Sequence, residues 1–450
     1  MNLFFKDNLI KFASALPAPI YAVGGYVRNF LINKSLSDDI DLCGQLTAEE
    51  MVNYLEEFGF YVVASYKRTG TVVFSDGEQK YEYTVTRSEK YLGGEHLPSE
   101  TTFGVSIEKD ALRRDFKCNA IYYDVKRGDI IDPLNGISDV KNKILDTVTS
   151  PEKVFCFDGL RLMRLARLAG ELNFKPTKEV IDGAKRFADN IKDISAERIN
   201  DELKKILISD GKYSFSNPNG HYDGLKILDE IGVLDIILPE LTLGRNMQQR
   251  KDFHKYDVLE HSLRTVLYSE KKVRISALLH DVGKPKAFME KGKYHGHASY
   301  GTPIARKILK RLKFDTKTIN EVCFLVENHM QDMEGNMKES KVRRFIVTNY
   351  GYLDKLFCLM QADFMAGLDK TEKCPQVIKW QKIYEKMKLD GTPFDKKDLK
   401  ITAKDLLSLG FCGEEIGKTL DELFYLAVIS PEKNDYDKLI AICKKRKEII

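Results

Sequence analysis

Short β-branched and aromatic runs (YAVGG, YVVASY, TVVFS, YEYTVT, AIYYD) crowd the start of the chain and stop at DPLNG, Asp132–Gly136. Runs of this length bounded by turn residues read as strands, and with helical stretches such as LTAEEMVNYLEEFGF between them they specify an α/β unit. Beyond Gly136 amphipathic helical patterns take over. The fold class expected is therefore an α/β N-terminal head followed by a mostly α-helical remainder. At 450 residues the chain exceeds one compact core,. Helix-breaking punctuation falls at 214–224, 289–303 and 388–398,. The division expected is a head at 1–140, a helical neck at 141–250, a third module at 251–370 and a helical tail at 371–450.

Composition narrows the class. With 43% hydrophobic and 31% charged residues and no apolar run of about 18, the chain carries no membrane-spanning pattern,. The opening MNLFFKDNLIKF has charges within its apolar stretch and no small-residue cleavage site, which points to a cytoplasmic location,. Eight scattered cysteines without a CxxC pair suggest reduced thiols,. A net charge of +4, from 71 basic and 67 acidic residues, argues against a wholly basic coat while leaving room for local basic surfaces,.

The most informative segment is GGYVRNFLINKSLSDDIDLCG. Gly24 and Gly25 follow an apolar run and precede a helical one, so their backbone amides can cradle phosphate, with Arg28 placed to grip it. A glycine pair alone more often marks a tight turn. Asp39 and Asp41 follow, and residues i and i+2 of a strand project from one face. Two carboxylates there suit a hard cation such as Mg²⁺, which relieves their mutual repulsion. Taken alone, D-x-D is as readily a solvated acidic turn.

The order GG-x-V-R then D-x-D resembles the class II branch of the polymerase-β nucleotidyltransferase superfamily, the tRNA nucleotidyltransferases and poly(A) polymerases. One departure is Asn29, where the family carries Asp. YEYTVTRSEKY (81–91) resembles the family strand bearing a third carboxylate, here Glu82, and LRRDFKCNAIYYD (112–124) resembles its RRDFTINAIAYD. The resemblance implies a polymerase-β-like head with Asp39, Asp41 and Glu82 as catalytic residues, two Mg²⁺ held by Asp39 and Asp41, and nucleotide contacts from Gly25, Arg28, Arg114, Asp115 and Asn119. Two-metal chemistry of this kind is an in-line displacement needing no covalent enzyme nucleophile.

FDGLRLMRLARLAG carries Asp158, Arg161, Arg164 and Arg167 at three-residue intervals, and is read as one amphipathic helix on which these four spiral,. It resembles the family's E-D-x-x-R helix, which implies that Asp158 and Arg161 read the edge of CTP or ATP while Arg164 and Arg167 meet phosphates. A carboxylate accepts from an exocyclic amine and a guanidinium donates to ring acceptors, so the residue types fit. Phe157 stands where the family has Glu.

The third module holds His261, the doublet His280-Asp281 in ALLHDVGK, and then His297, His329 and Asp363. Adjacent His and Asp after an apolar helix require partners or a metal. The series resembles the HD phosphohydrolase superfamily, which implies a divalent transition metal on His261, His280, Asp281 and Asp363, with His297 and His329 as second-site ligands. His254 ranks lower. The stretch 402–434 resembles the family tail, expected to contact tRNA.

These resemblances imply template-independent addition of CCA to tRNA 3′ ends from CTP and ATP, with tRNA as partner, no membrane and no DNA. A sibling that adds only CC, only A or poly(A) shares the same motifs, and the segment 88–111 would bear on that choice. A rival from another class is an HD phosphohydrolase with a nucleotide-binding regulatory head.

Overall fold

The computed structural model describes residues 3, 5–34, 40–90 and 100–449. The chain divides into two compact units, residues 1–242 with 311–313, and residues 243–310 with 314–450. Among the described residues no helix is long and apolar enough to cross a membrane.

The first unit opens on a mixed sheet built from strands β1 (Ile20–Val23), β2 (Ile40–Gly44), β3 (Tyr61–Tyr66), β4 (Thr71–Ser75) and β5 (Lys80–Val85). A separate hairpin, β6 (Arg87–Lys90) with β7 (Glu100–Phe103), follows, and then β8 (Tyr122–Asp124) and β9 (Ile130–Ile131) complete the main sheet. Its order is β3-β4-β5-β2-β1-β8-β9, with β2 and β5 parallel and the other pairs antiparallel. Alternation sets the faces: Tyr81, Tyr83 and Val85 of β5 are buried with Val72 and Phe74 of β4, while Glu82 between them is exposed,. Phe12, Phe60, Phe74 and Tyr81 form the aromatic core beneath, with Phe74 stacked on Tyr81 at 5.1 Å,.

Helix α1 (Gly25–Asn33) leaves β1 through Gly24, whose φ of 76° and ψ of −138° suit glycine alone,. The helical part of this unit rests on α2 (Leu160–Leu172), α3 (Ala196–Leu207) and α4 (Gly220–Glu230). Helices α2 and α4 touch backbone to backbone: a Cβ added at Gly170 would lie 2.5 Å from Gly220 O, and one at Gly220 would lie 2.4 Å from Gly170 O. Ser195 caps the start of α3 by accepting from Arg198 N,.

The second unit is helical. Helix α5 (Val258–Tyr268) starts at the capping residue Asp257, and the short α6 (Arg274–Leu279) delivers His280-Asp281 at its end. Then come α7 (His297–Arg311), α8 (Thr316–Asn328) and α9 (Leu353–Leu368). Asp369, just past α9, accepts from Tyr256 OH, Lys255 Nζ, Arg264 Nη1 and Tyr268 OH at 2.5 to 3.2 Å, clasping the loop before α5 to the end of α9. Buried Trp380 donates to Asp332 farther along the chain.

Candidate active site and metal centre

Two clusters of functional side chains form, one in each unit. In the first, register does what spacing alone cannot: Asp41 of β2 is the direct partner of Glu82 of β5 in the parallel ladder. Partners in a ladder share a face, and neighbouring strands lie about 4.8 Å apart, so two exposed carboxylates stand side by side,. The turn before α1 lies against them, since a Cβ added at Gly24 would sit 3.4 Å from Asp41 Oδ2. Asp39 lies outside the described residues, as do Tyr91 and the rest of 91–99.

Arg28, one turn into α1, is 3% exposed. Its Nε and Nη2 donate to Asn29 Oδ1 at 3.1 and 2.8 Å, and its Nη1 to Asn119 Oδ1 at 2.5 Å. Asn29, where the family carries Asp, thus accepts from Arg28 without carrying a charge. Among the described residues no carboxylate pairs with this guanidinium, and a Cβ at Gly25 would lie 3.6 Å from its Nη2, so the cation faces the glycine turn. A buried cation with no carboxylate partner among the described residues suits an anionic ligand,.

Asn119 donates onward to Asp115 Oδ1 at 3.2 Å, and Asp115 Oδ2 accepts from Arg164 Nε and Nη2 at 2.7 and 2.5 Å. Burial opposes a charged Asp115, but Arg164 and Arg161 hold its carboxyl well below the ordinary range,. A continuous chain thus runs from Arg28 through Asn119 and Asp115 to α2. Arg114 is committed elsewhere, to Asp110 Oδ2 and Tyr122 OH, both at 3.1 Å. Asp110 went unnoticed in the sequence although KDALRRD places it three and four residues before Arg113 and Arg114; it is fully buried and binds both.

Asp158 is not on the helix that the three-residue spacing suggested. It is extended, at φ −150° and ψ 107°, between helix Pro151–Phe157 and α2, and its Oδ1 accepts from Leu160 N at 2.9 Å. A short polar side chain that bonds its own backbone two residues on breaks the helix there. Arg198 approaches its Oδ2 at 3.5 Å. Arg161 donates to Arg113 O at 2.6 Å and Val154 O at 3.3 Å, while Arg167 pairs with Glu202 and Glu171.

In the second unit all six residues of the HD series converge. His280, His297 and His329 each direct Nδ1 at the carbonyl three residues back, Ala277 O, Tyr294 O and Val326 O, at 2.7 to 2.9 Å. A nitrogen facing a carbonyl carries the proton, which turns each Nε2 lone pair inward. Two such Nε2 atoms, of His297 and His329, stand 3.1 Å apart, and those of His261 and His280 stand 3.3 Å apart. Lone pairs that close need a cation or a proton between them.

Asp281 stands between the two halves. Its Oδ2 lies 3.2 Å from His280 Nε2 and 3.4 Å from His261 Nε2, and its Oδ1 lies 3.0 Å from His297 Nε2 and 3.8 Å from His329 Nε2. Asp363 Oδ1 completes the first half, 2.9 Å from His261 Nε2. Ligand-bearing atoms of His261, His280 and Asp363, and of His280, Asp281 and His329, fall within 4.8 Å of one another. Mixed imidazole and carboxylate donors in a buried site fit a divalent transition ion. Gly283 permits the arrangement, because a Cβ there would lie 2.1 Å from His297 O.

Lys284, three residues after Asp281, was missed in the sequence; its Nζ is 2.6 Å from Asp281 Oδ2 and donates to Gln249 Oε1. His254 stacks edge-on to His261 at 4.6 Å, and burial pushes it down to about 3.

Family models match spans in both units. Residues 20–146 match the family model described as "Poly A polymerase head domain", 173–243 "Probable RNA and SrmB- binding site of polymerase A" and 258–377 "HD domain". The chain is 28% identical over 429 residues to a CC-adding tRNA nucleotidyltransferase of Thermus thermophilus, covering 90% of this chain and 89% of that one. It is 30% identical over 311 residues to an A-adding tRNA nucleotidyltransferase of Deinococcus radiodurans, covering 65% of this chain and 67% of that one. Its fold is similar to that of the Bacillus stearothermophilus CCA-adding enzyme solved with CTP, with a TM-score of 0.67, 20% identity and 99% of each chain covered.

Proposed function

The chain belongs to the tRNA nucleotidyltransferase and poly(A) polymerase family, and from that membership we propose that it adds C, C and A, without a nucleic-acid template, to the 3′ end of tRNA from CTP and ATP. The observation that carries the reading is the in-register pair Asp41 and Glu82 on an exposed sheet face beside the Gly24 turn. Its relatives include one that adds CC and one that adds A, which supports a reading in which both half-reactions are available to this scaffold.

The family is metal-dependent. The exposed oxygen donors Asp41 and Glu82 fit Mg²⁺, with Asp39 as the third ligand, and the bound ion would supply charge neutralisation at the attacking and leaving oxygens. Arg28 binds the triphosphate at the N-terminus of α1, where backbone amides add to the positive field. Asn119 and Asp115 orient Arg28 and Arg164 with respect to each other. Asp158 and Arg161 read the base edge, the carboxylate accepting from the exocyclic amine that C and A share, and Arg167 braces α2 through Glu202 and Glu171. Arg114 supports the site through Asp110. The tail, residues 371–450, would contact tRNA.

Incubation with Mg²⁺ and tRNA transcripts ending at the discriminator base, at C or at CC, with CTP and ATP supplied separately and together, tests this. Extension of all three to CCA is expected, and an Asp41→Asn/Glu82→Gln variant should lose it. Addition of A alone to CC ends would sink the full-CCA reading.

The inward Nε2 set favours a second activity, hydrolysis of a terminal or 2′,3′-cyclic phosphate on RNA at the HD cluster. There His261, His280 and Asp363 would hold one divalent transition ion and His297 and His329 another, bridged by Asp281. A bound ion of this kind activates water for attack on phosphorus.

A further inference from the structure

Between α3 and α4, Tyr213 and Phe215 lie face to face, ring centroids 5.0 Å apart and planes 8° from parallel. Both rings stay half-exposed instead of entering the core, and Lys212 Nζ stands 5.8 Å over the Tyr213 ring. Hydrogen bonds close the turn that carries them: Tyr213 N donates to Ser216 Oγ at 3.0 Å, Ser216 N to Tyr213 O at 3.1 Å, and Asn219 N to Asn217 Oδ1 at 3.0 Å. Ser214, between the rings, accepts from Asn33 Nδ2 at 3.2 Å. Two parallel rings are thus presented to solvent on a braced turn tied to the last residue of α1, the helix whose first residue is Gly25.

That tether sets a distance. Helix α1 advances about 1.5 Å per residue, so Asn33 lies roughly 12 Å from Gly25. A stacked nucleic-acid strand advances about 3.4 Å per nucleotide, so 12 Å corresponds to roughly three or four nucleotides. Every base offers a π face, and a cation beside an aromatic platform suits the phosphates that come with it. Lys34 and Lys212, both exposed, flank the tether.

Resting on the nucleotidyltransferase reading, we infer that Tyr213 and Phe215 form a stacking platform for an unpaired base of the RNA, about three or four nucleotides back from the reacting 3′ hydroxyl. The residues lie within 173–243, the stretch matched to an RNA-binding family model. The platform holds the single-stranded end in line with the Gly24 turn and tolerates any base, because stacking does not depend on edge hydrogen bonds.

The test uses the full-length protein without nucleotide and a tRNA transcript ending in CC that carries 2-aminopurine at the third position from its 3′ end, an unpaired base. Wild-type protein should change the probe's fluorescence. Tyr213→Ala/Phe215→Ala should abolish that change and weaken tRNA binding at least about fivefold, the low end of one lost base–aromatic stack. Tyr213→Phe/Phe215→Tyr, which keeps both rings, should restore both, and in steady state the alanine pair should raise KM for tRNA rather than for CTP. Unaltered affinity and probe response in the alanine pair would overturn the inference, as they would if the platform served a protein partner. So would equal weakening on a blunt duplex RNA without unpaired bases. Binding is read without catalysis, so a protein that stacks the probe yet adds no nucleotide refutes the proposed activity and leaves the platform standing.

Discussion

Gly283→Ala asks whether the two halves of the HD cluster are separable. A Cβ at 283 would lie 2.1 Å from His297 O and 2.4 Å from Gly301 N, where ordinary contact begins near 3.4 Å. The first turn of α7 must therefore retreat by roughly 1.3 Å (3.4 − 2.1). His297 Nε2 now sits 3.0 Å from Asp281 Oδ1. Metal–ligand bonds tolerate errors of only about 0.2 Å, so a shift several times larger removes His297 from its ion. His261 and Asp363 sit on α5 and α9, whereas the three atoms nearest a Cβ at 283 belong to His297 and Gly301 of α7. Overpacking of this kind costs about 1–3 kcal/mol, which a folded domain usually survives. Full-length wild type and variant, loaded with Mn²⁺ or Ni²⁺ and stripped of loose metal, are assayed for metal content by mass spectrometry. Two ions per chain are expected in the wild type and one in the variant, with unchanged circular dichroism. Two ions in the variant, or one in the wild type, would refute the bridged arrangement.

Asp115→Ala removes an acceptor of two Arg164 donors, Phe116 N and Asn119 Nδ2, and should destabilise the first unit by about 3 kcal/mol in urea denaturation,. Because Asp115 titrates lower folded than its unfolded value near 3.9, its contribution is complete above about pH 4 and fades as pH falls further,. The gap between variant and wild type should therefore persist at pH 7 and narrow in acid; a gap that widened in acid would contradict the assignment. Asp369→Ala unties Lys255, Tyr256, Arg264 and Tyr268 and should speed amide hydrogen exchange across 252–257, and equal protection in both proteins would show that the clasp is idle,.

Much of this was legible before any coordinates. The resemblance of YEYTVT to the family strand already singled out Glu82, and the structure puts it opposite the buried tyrosines on an exposed face. What spacing could not supply was its register with Asp41, because parallel pairing across some forty residues is decided by the sheet as a whole,. The spacing of Asp158 with three arginines misled for a local reason, since a three-residue interval cannot reveal that the first member bonds Leu160 N and stops the helix. In the second unit the residue types announced a metal centre. The resemblance already set His297 and His329 apart as a second site; what it left open was the place of Asp281 between the halves, because that depends on which way each of its oxygens points and on Gly283 letting α7 come close.

The contact between Gly170 and Gly220 leaves α2 no slack. Side-chain packing yields and re-forms when a neighbour changes, whereas peptide groups in contact have nothing to trade. On the proposed reading, a protein that selects nucleotides without a template needs its own standard of length and angle, and α2, pinned at its far end by bare backbone, would supply such a gauge. Arg161, for which a base-reading role is proposed, can change at its tip while the helix that carries it stays fixed. One methyl group at either glycine would bend the gauge itself.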